Sequence, residues 1–174
     1  LDALSLRDSS DDERIARFIL AHAVLLSFPG VPAVYIQSIL GSRNDYEGVE
    51  RLGYNRAINR KKYTAGQVDL ELNNKKSIRY QIYSRLSELI AIRRGESAFH
   101  PDSQAIFDAI GEHILKIVRV AENGERMTAL FNFSNKMQTI YGQTLFGREL
   151  LSGHDISGTE LNLNPWQVMW IKEN

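Results

Sequence analysis

The chain has 174 residues, enough for one domain or two small ones with a buried core. Lysine plus arginine equals aspartate plus glutamate, at 21 each, so no net charge draws it to nucleic acid or to an anionic membrane surface. It has no cysteine, which excludes disulfides, thiolate nucleophiles and cysteine-bearing zinc sites. Because it also shows no secretory signal and no membrane-spanning apolar run, we predict a soluble, cytoplasmic protein.

The first predicted element is a helix that begins near Ser10. Ser10 and Glu13 have the spacing of a capping box, and apolar residues then recur at helical spacing. The helix should end at Phe28, because Pro29 disfavours a helical residue before it. The chain begins at Leu1, in a short loop just before this helix, which we interpret as a piece of a longer protein produced by proteolysis or by design.

A buried strand and a second helix should follow. The run "VPAVYI", Val31 to Ile36, is apolar on both faces, as strands of a parallel sheet are. The next strong helical pattern is "SIRYQIYSRLSELIAIRR", which ends before Gly95. About 40 residues separate the two, far more than the usual strand-to-helix loop of roughly 2 to 6 residues. This long loop contains several tyrosines, so we expect it to be ordered and functional.

After Pro101 the pattern changes to short segments rich in β-branched and aromatic residues and separated by turn residues. Asn123-Gly124 is a strong hairpin signal between two of them. We therefore predict an antiparallel β-sandwich over residues 99–174. The expected strand segments are "QAIFDAIG", "HILKIVRVA", "MTALFNFS", "MQTIYG", "GRELL" and "PWQVMWIK".

Residues 1–98 make an incomplete unit by themselves, because one buried parallel strand would have bare edges. The simplest interpretation is the terminal αβα segment of a (β/α)8 TIM barrel, comprising its last strand, a long βα loop and its last helix. The predicted fold class is therefore α/β followed by all-β. Since barrel active sites lie in the βα loops, the long loop is the candidate site.

The residues of this region resemble those of a known family. "FPGVPAVYI" is similar to the last barrel strand of the α-amylase superfamily, glycoside hydrolase family 13. "GSRND" followed by "NRAINRKKY" resembles the sucrose phosphorylase group, in which Gly-Arg-Asp-Ile-Asn-Arg occurs, and within it the enzymes of enteric bacteria that cleave glucosylglycerate. The closing "PWQVMWIK" resembles the last strand of that group. The resemblance covers essentially the whole chain but only the last third of such an enzyme.

The resemblance implies a retaining phosphorylase that transfers glucose from α-glucosylglycerate to phosphate through a covalent glucosyl-enzyme. The family's catalytic carboxylates lie on earlier barrel strands, before Leu1, so the chain alone is expected to be inactive and to contain no catalytic residue. The implied partners are a small glucoside and inorganic phosphate. We expect no cofactor and no metal. We also expect the isolated chain to self-associate through exposed barrel surface.

By the same resemblance, Arg56 contacts the attacking phosphate or the leaving group, and Asn55 and Arg60 are candidate neighbours at that site. An arginine supplies a permanent charge and a fork that holds two phosphate oxygens. Two positions depart from the family pattern: Asn55 replaces a glycine and Ala57 replaces an aspartate. Because an anionic acceptor is favoured by a less negative loop, the departures favour glucosylglycerate over sucrose.

Simpler interpretations apply to several other residues. Asn44 and Asp45 more plausibly turn the loop than serve in catalysis. Trp166 and Trp170 fit a sheet core better than a sugar-binding platform. The four histidines lack any metal-ligand spacing.

Three alternative functions remain open from the sequence. The substrate could be sucrose or a sugar phosphate glucoside. The chain could instead be a non-catalytic carbohydrate-binding or interaction module. A third possibility is a nucleic-acid binder that uses "NRAINRKK". Its affinity for DNA or RNA would depend strongly on salt, and the balanced charge of the chain disfavours this function.

Overall fold

The computed structural model describes residues 1–174, except for the side chains of residues 143 and 144. Helices occupy the first part of the chain and strands the last part, which agrees with the predicted order of the two parts. The α-helices are α1 (Asp11–Ser27), α2 (Ile36–Ile39), α3 (Tyr46–Leu52), α4 (Ala65–Leu72) and α5 (Ile78–Gly95). Three short 3-10 helices cover Asp2–Leu4, Asn55–Asn59 and Ser97–Phe99. None of the helices in the described part of the chain has the length and apolar character needed to cross a membrane.

The chain divides into two compact units. The first contains residues 1–19 and 33–87, and the second contains residues 20–32 and 88–174. Helices α1 and α5 each contribute residues to both units. This division does not test the predicted domain boundary after residue 98, which stays a prediction.

Both long helices occur where the sequence predicts them. The amide of Glu13 donates to Ser10 Oγ at 3.2 Å, so Ser10 caps the start of α1. Helix α1 ends at Ser27, directly before Phe28 and Pro29. Helices α1 and α5 each have a buried apolar stripe. It includes Ile15, Phe18, Leu20, Ala23 and Leu26 on α1, and Ile82, Leu86 and Leu89 on α5. Periodicity therefore identified most of the core face of each helix, but Leu25, expected on the buried face of α1, is 42% exposed.

The strand expected over Val31 to Ile36 is absent from the described structure. Residues 31–35 lie outside any sheet, and Ile36 begins helix α2. Val31 is 83% exposed and Ile36 is 56% exposed. A strand needs the backbone of a neighbour to complete its hydrogen bonds, and no described residue pairs with this segment.

The second unit contains the all-β part. Its strands are β1 (Gln104–Ile110), β2 (Ile114–Val120), β3 (Arg126–Asn132), β4 (Gln138–Glu149), β5 (Asp155–Leu163) and β6 (Val168–Glu173). All neighbours are antiparallel, in the order β1-β2-β3-β6-β4-β5. The strands form one hydrogen-bonded sheet, whereas the expected sandwich has two.

One curled sheet can bury a core because its distant strands meet on the concave face. The core residues come from β2 through β6: Ile114, Leu130, Ile140, Leu145, Leu163, Met169 and Ile171. Strands β2 and β4 are not neighbours in the sheet, so their shared core requires the curl. This packing replaces the second layer that a sandwich would supply.

Candidate functional site

The long segment between Ile36 and Ile78 is ordered, as expected, and belongs to the first unit. It consists of three short α-helices and the 3-10 helix Asn55–Asn59, joined by tight turns. Thr64 and Gln67 form a complete capping box at the start of α4. Local hydrogen bonds therefore help to fix the short helices of this segment.

Asp45 orders the turn before the candidate residues. Its carboxylate accepts a hydrogen bond of 3.0 Å from the amide of Gly48 and caps α3. A Cβ added at Gly48 would lie 2.2 Å from Asp45 Oδ2, so a larger residue there would displace the capping carboxylate. The expected turn-forming role of Asp45 is confirmed.

The candidate residues Asn55, Arg56 and Arg60 lie in and directly after the 3-10 helix that follows α3. This 3-10 helix is hydrogen-bonded to the start of α3, because the amide of Asp45, the N-cap residue of α3, donates to the carbonyl of Ile58 at 2.8 Å. All three side chains are exposed. Among the described residues, no carboxylate forms an ion pair with Arg56 or Arg60. Their guanidinium groups are therefore available to an anionic ligand.

Ala57, in the same 3-10 helix, is buried with 2% of its surface exposed. A carboxylate at this position would lose its hydration unless a partner replaced it. Alanine avoids that cost and leaves Arg56 without an acidic neighbour one residue away. The departure from the family pattern at position 57 is thus compatible with local packing.

Arg79 is a supporting residue that sequence reasoning missed. It extends from α5, donates to the carbonyl of Leu40 at 2.6 Å and to Glu71 at 2.9 Å, and lies 4.3 Å from the centre of the Tyr63 ring. Burial alone would lower the pKa of Arg79, but its interactions with Tyr63 and Glu71 outweigh burial and raise the pKa above the usual value for arginine. It connects the start of the segment, at α2, with its end at Tyr63 and α4.

No local signal could have identified Arg79, because its three partners lie 8 to 39 positions away in the sequence. Gln37 makes a similar long-range connection, since its amide donates to the carbonyl of Lys61 at 2.9 Å. These contacts hold both ends of the segment that carries Arg56. They position the segment and leave the exposed cations free to bind.

The exposed groups of this segment are cationic. Asp45 is used as a helix cap, which removes it as one half of a glycosidase carboxylate pair. Within the described residues, no group of three or more histidine, aspartate and glutamate side chains could hold a metal ion. What the segment offers is two exposed arginines on a braced support.

Comparison with solved structures identifies the class of fold. AmyP in complex with maltotriose superposes with a TM-score of 0.77 at 12% identity, over 98% of this chain and 37% of that chain. A mutant of isomaltulose synthase from Erwinia rhapontici NX5 superposes with a TM-score of 0.67 at 17% identity, over 96% and 40%. The chain thus shares the fold of a part of each of these enzymes, with helices followed by a curled antiparallel sheet.

Comparison of the sequence with curated proteins identifies a narrower group of relatives than the structural comparison does. Glucosylglycerate phosphorylase of Escherichia coli (strain K12) is 57% identical over 172 residues, which cover 99% of this chain and 31% of the relative. Glucosylglycerate phosphorylase of Allomeiothermus silvanus is 34% identical over 98% of this chain and 30% of the relative. Sucrose phosphorylase of Agrobacterium vitis is 33% identical over 66% of this chain and 21% of the relative. No protein-family model matches.

The chain is therefore similar along almost its whole length to about a third of glucosylglycerate phosphorylase and, over a shorter stretch, to sucrose phosphorylase. It spans about a third of the length of the curated relatives that it matches along its whole length.

Proposed function

We propose that the chain is part of a retaining α-glucoside phosphorylase that transfers glucose from α-glucosylglycerate to phosphate and releases α-glucose 1-phosphate. The observation that carries this proposal is the 57% identity to glucosylglycerate phosphorylase over almost the entire chain. Two further relatives of the same name match along 98% of the chain, whereas the sucrose phosphorylase match covers 66%. This difference favours glycerate over fructose as the leaving group.

In this proposal the chain supplies the acceptor side of the site and other parts of the enzyme supply the carboxylates. A carboxylate nucleophile forms the glucosyl-enzyme, a second carboxyl group protonates the departing oxygen of glycerate, and phosphate then attacks the sugar carbon. Both glycerate and phosphate are anions that must approach a site lined with carboxylates. Arg56 provides the opposing charge, with Asn55 and Arg60 as neighbouring polar contacts.

The state of Arg56 supports this role. Arg56 is exposed and has no acidic partner among the described residues, and the short helix that carries it is attached to the α3 turn. The buried Ala57 leaves no negative charge beside it. An arginine that braced the loop would instead resemble Arg79, which is buried and has three partners.

The test compares two fates of the same glucosyl-enzyme in the full-length protein. Arg56→Ala should reduce phosphorolysis of α-glucosylglycerate roughly a hundredfold or more, the value of one or two lost charge-assisted hydrogen bonds. Hydrolysis of the glucosyl-enzyme by water should fall much less, because water carries no charge. Arg51→Ala, which removes an exposed arginine at the end of α3, is the matched control and should change neither rate. Equal losses in phosphorolysis and hydrolysis would contradict the phosphate role.

A parallel comparison identifies the substrate. Phosphate-dependent release of glucose 1-phosphate should be fastest from α-glucosylglycerate, compared with sucrose and sucrose 6-phosphate. Faster release from either sucrose compound would replace the proposed leaving group while keeping the reaction class. A cytoplasmic location and self-association of the isolated chain also remain proposals, to be checked by cell fractionation and by sedimentation.

A further inference from the structure

Arg79 anchors the chain that follows the candidate residues. Its side chain extends from α5 and is only 7% exposed. Its guanidinium donates to the carbonyl of Leu40, directly after α2, and to Glu71 in α4, and it lies against the ring of Tyr63. Because a guanidinium is planar and its donors point in fixed directions, these contacts set the position of Tyr63 relative to α2 and α4.

Gln37 makes a second contact with the same stretch of chain. Its Nε2 donates to the carbonyl of Lys61 at 2.9 Å, while its Oε1 accepts a hydrogen bond from the hydroxyl of Ser42. Lys61 and Tyr63 both lie in the chain that leaves the 3-10 helix Asn55–Asn59. Two independent contacts therefore hold the exit of this helix.

The placement of Arg56 depends on these backbone contacts. The helix that carries Arg56 is held at its end by the hydrogen bond from the amide of Asp45 to the carbonyl of Ile58. Arg56 itself is exposed and forms no ion pair with a carboxylate of the described residues. Its position is thus set by the backbone, which Arg79 and Gln37 hold beyond the helix.

The two acceptors of a glucosyl-enzyme differ in their need for a well-placed cation. Either acceptor supplies an oxygen that bonds to the sugar carbon while the bond to the enzyme carboxylate breaks, and any proton on that oxygen passes to the second carboxylate. Phosphate has to be held by its oxygens, and a displacement of about 1 Å can slow a reaction roughly a hundredfold. Water is uncharged, so it approaches without help from a cation.

We infer that Arg79 and Gln37 are positioning residues that, through the placement of Arg56, determine how the glucosyl-enzyme is divided between phosphate and water. This inference rests on the proposed function and adds to it two residues that touch no ligand. A residue that only stabilised the fold would change the amount of active enzyme. Both rates would then fall equally and their ratio would stay constant.

The experiment measures the ratio of glucose 1-phosphate to glucose that the full-length protein forms from α-glucosyl fluoride at a fixed phosphate concentration. This donor releases fluoride when it loads the enzyme, so glycerate plays no part in the ratio. Arg79→Lys keeps the charge but lacks the fork, and should lower the ratio about tenfold. Gln37→Leu should lower it in the same direction, and Arg85→Lys, at an exposed position of α5, should leave it unchanged.

A double variant tests whether Arg79 acts through Arg56. Arg56→Ala alone should lower the ratio, and the addition of Arg79→Lys should lower it no further. A double variant whose loss is the product of the two single losses would overturn the inference.

The single variants separate this inference from the proposed function. A folded Arg79→Lys enzyme with the wild-type ratio would overturn the inference, and the same result for Gln37→Leu would do so if Arg79→Lys did not fold. In both cases a lowered ratio in Arg56→Ala would leave the proposed function standing. A wild-type ratio in Arg56→Ala would refute the phosphate role of Arg56, and this inference with it.

Discussion

The buried arginine of the sheet, Arg119, allows the most detailed prediction for stability. Its side chain is fully buried on β2 and has no carboxylate partner among the described residues. It donates instead to four backbone carbonyls: Ser27 at 3.0 Å, His100 at 2.8 Å, Ser103 at 3.2 Å and Gln104 at 3.3 Å. Burial, and secondarily the nearby positive charge of Arg93, lower the pKa of Arg119 below the usual value for arginine.

The informative change is Arg119→Lys, which keeps the charge and removes the fork. Arg119 reaches its acceptors from three nitrogens, whereas a lysine has one nitrogen and can serve about two of them. Two carbonyls would then lose their partner, at about 1–3 kcal/mol for each one that stays buried. Allowing for relaxation, we expect the free energy of unfolding to fall by about 2–4 kcal/mol.

Urea denaturation followed by far-UV circular dichroism measures this loss. The control is Arg148→Lys, because Arg148 is a 62% exposed arginine of the same sheet that pairs with Asp155 at 3.6 Å. That change should cost less than about 0.5 kcal/mol. If both variants lose the same free energy of unfolding, or if Arg119→Lys loses less than about 1 kcal/mol, the four hydrogen bonds from Arg119 to carbonyls contribute less to stability than predicted.

Two further predictions concern the first unit. Asp45→Ala should remove the cap of α3, at a cost of about 1 kcal/mol, and should speed hydrogen exchange of the Gly48 amide. Asp45→Asn should retain most of the protection of this amide, and unchanged exchange in the alanine variant would contradict the capping role. Burial alone would raise the pKa of Asp2, but hydrogen bonds from the Asn44 amide and the Arg43 guanidinium lower it below its ordinary value. Its stabilisation should be complete above about pH 4 and lost as the pH falls through the lower folded pKa, so Asp2→Asn should flatten the acid limb of the stability curve, measured by denaturation at several pH values.

The sequence predicted the elements that depend on local pattern. The helices α1 and α5 follow from apolar periodicity and end signals, and most residues of their predicted apolar stripes are buried, with Leu25 as an exception. The Asn123-Gly124 turn also formed, with Gly124 at φ 87° between β2 and β3. Its loop is longer than the two residues expected, since Val120 pairs with Arg126. Local chemistry located the turn, while the register of the two strands set its length.

The sequence was less informative where structure depends on distant partners. Strand β5 was not predicted, because Ser157, Gly158 and Asn162 are poor strand formers and only pairing with β4 makes this segment extended. In contrast, the apolar run at Val31 had strong strand propensity and no partner among the described residues, so it formed no strand. In both cases the presence or absence of a neighbouring strand, and not the strand propensity of the residues, decided whether a strand formed.

The candidate site shows the same division between local pattern and distant contacts. Arg56 was identified through the resemblance of its segment, and composition alone would have left it among several solvated cations. Arg79 was invisible in the sequence, yet it fixes both ends of the segment through Leu40 and Tyr63. The proposed phosphate site would use both kinds of arginine, because an exposed cation binds an anion with less loss of conformational entropy when its backbone is already held. The buried arginine with three partners and the exposed arginine with no acidic partner are therefore two parts of one arrangement, and only the second part leaves a motif in the sequence.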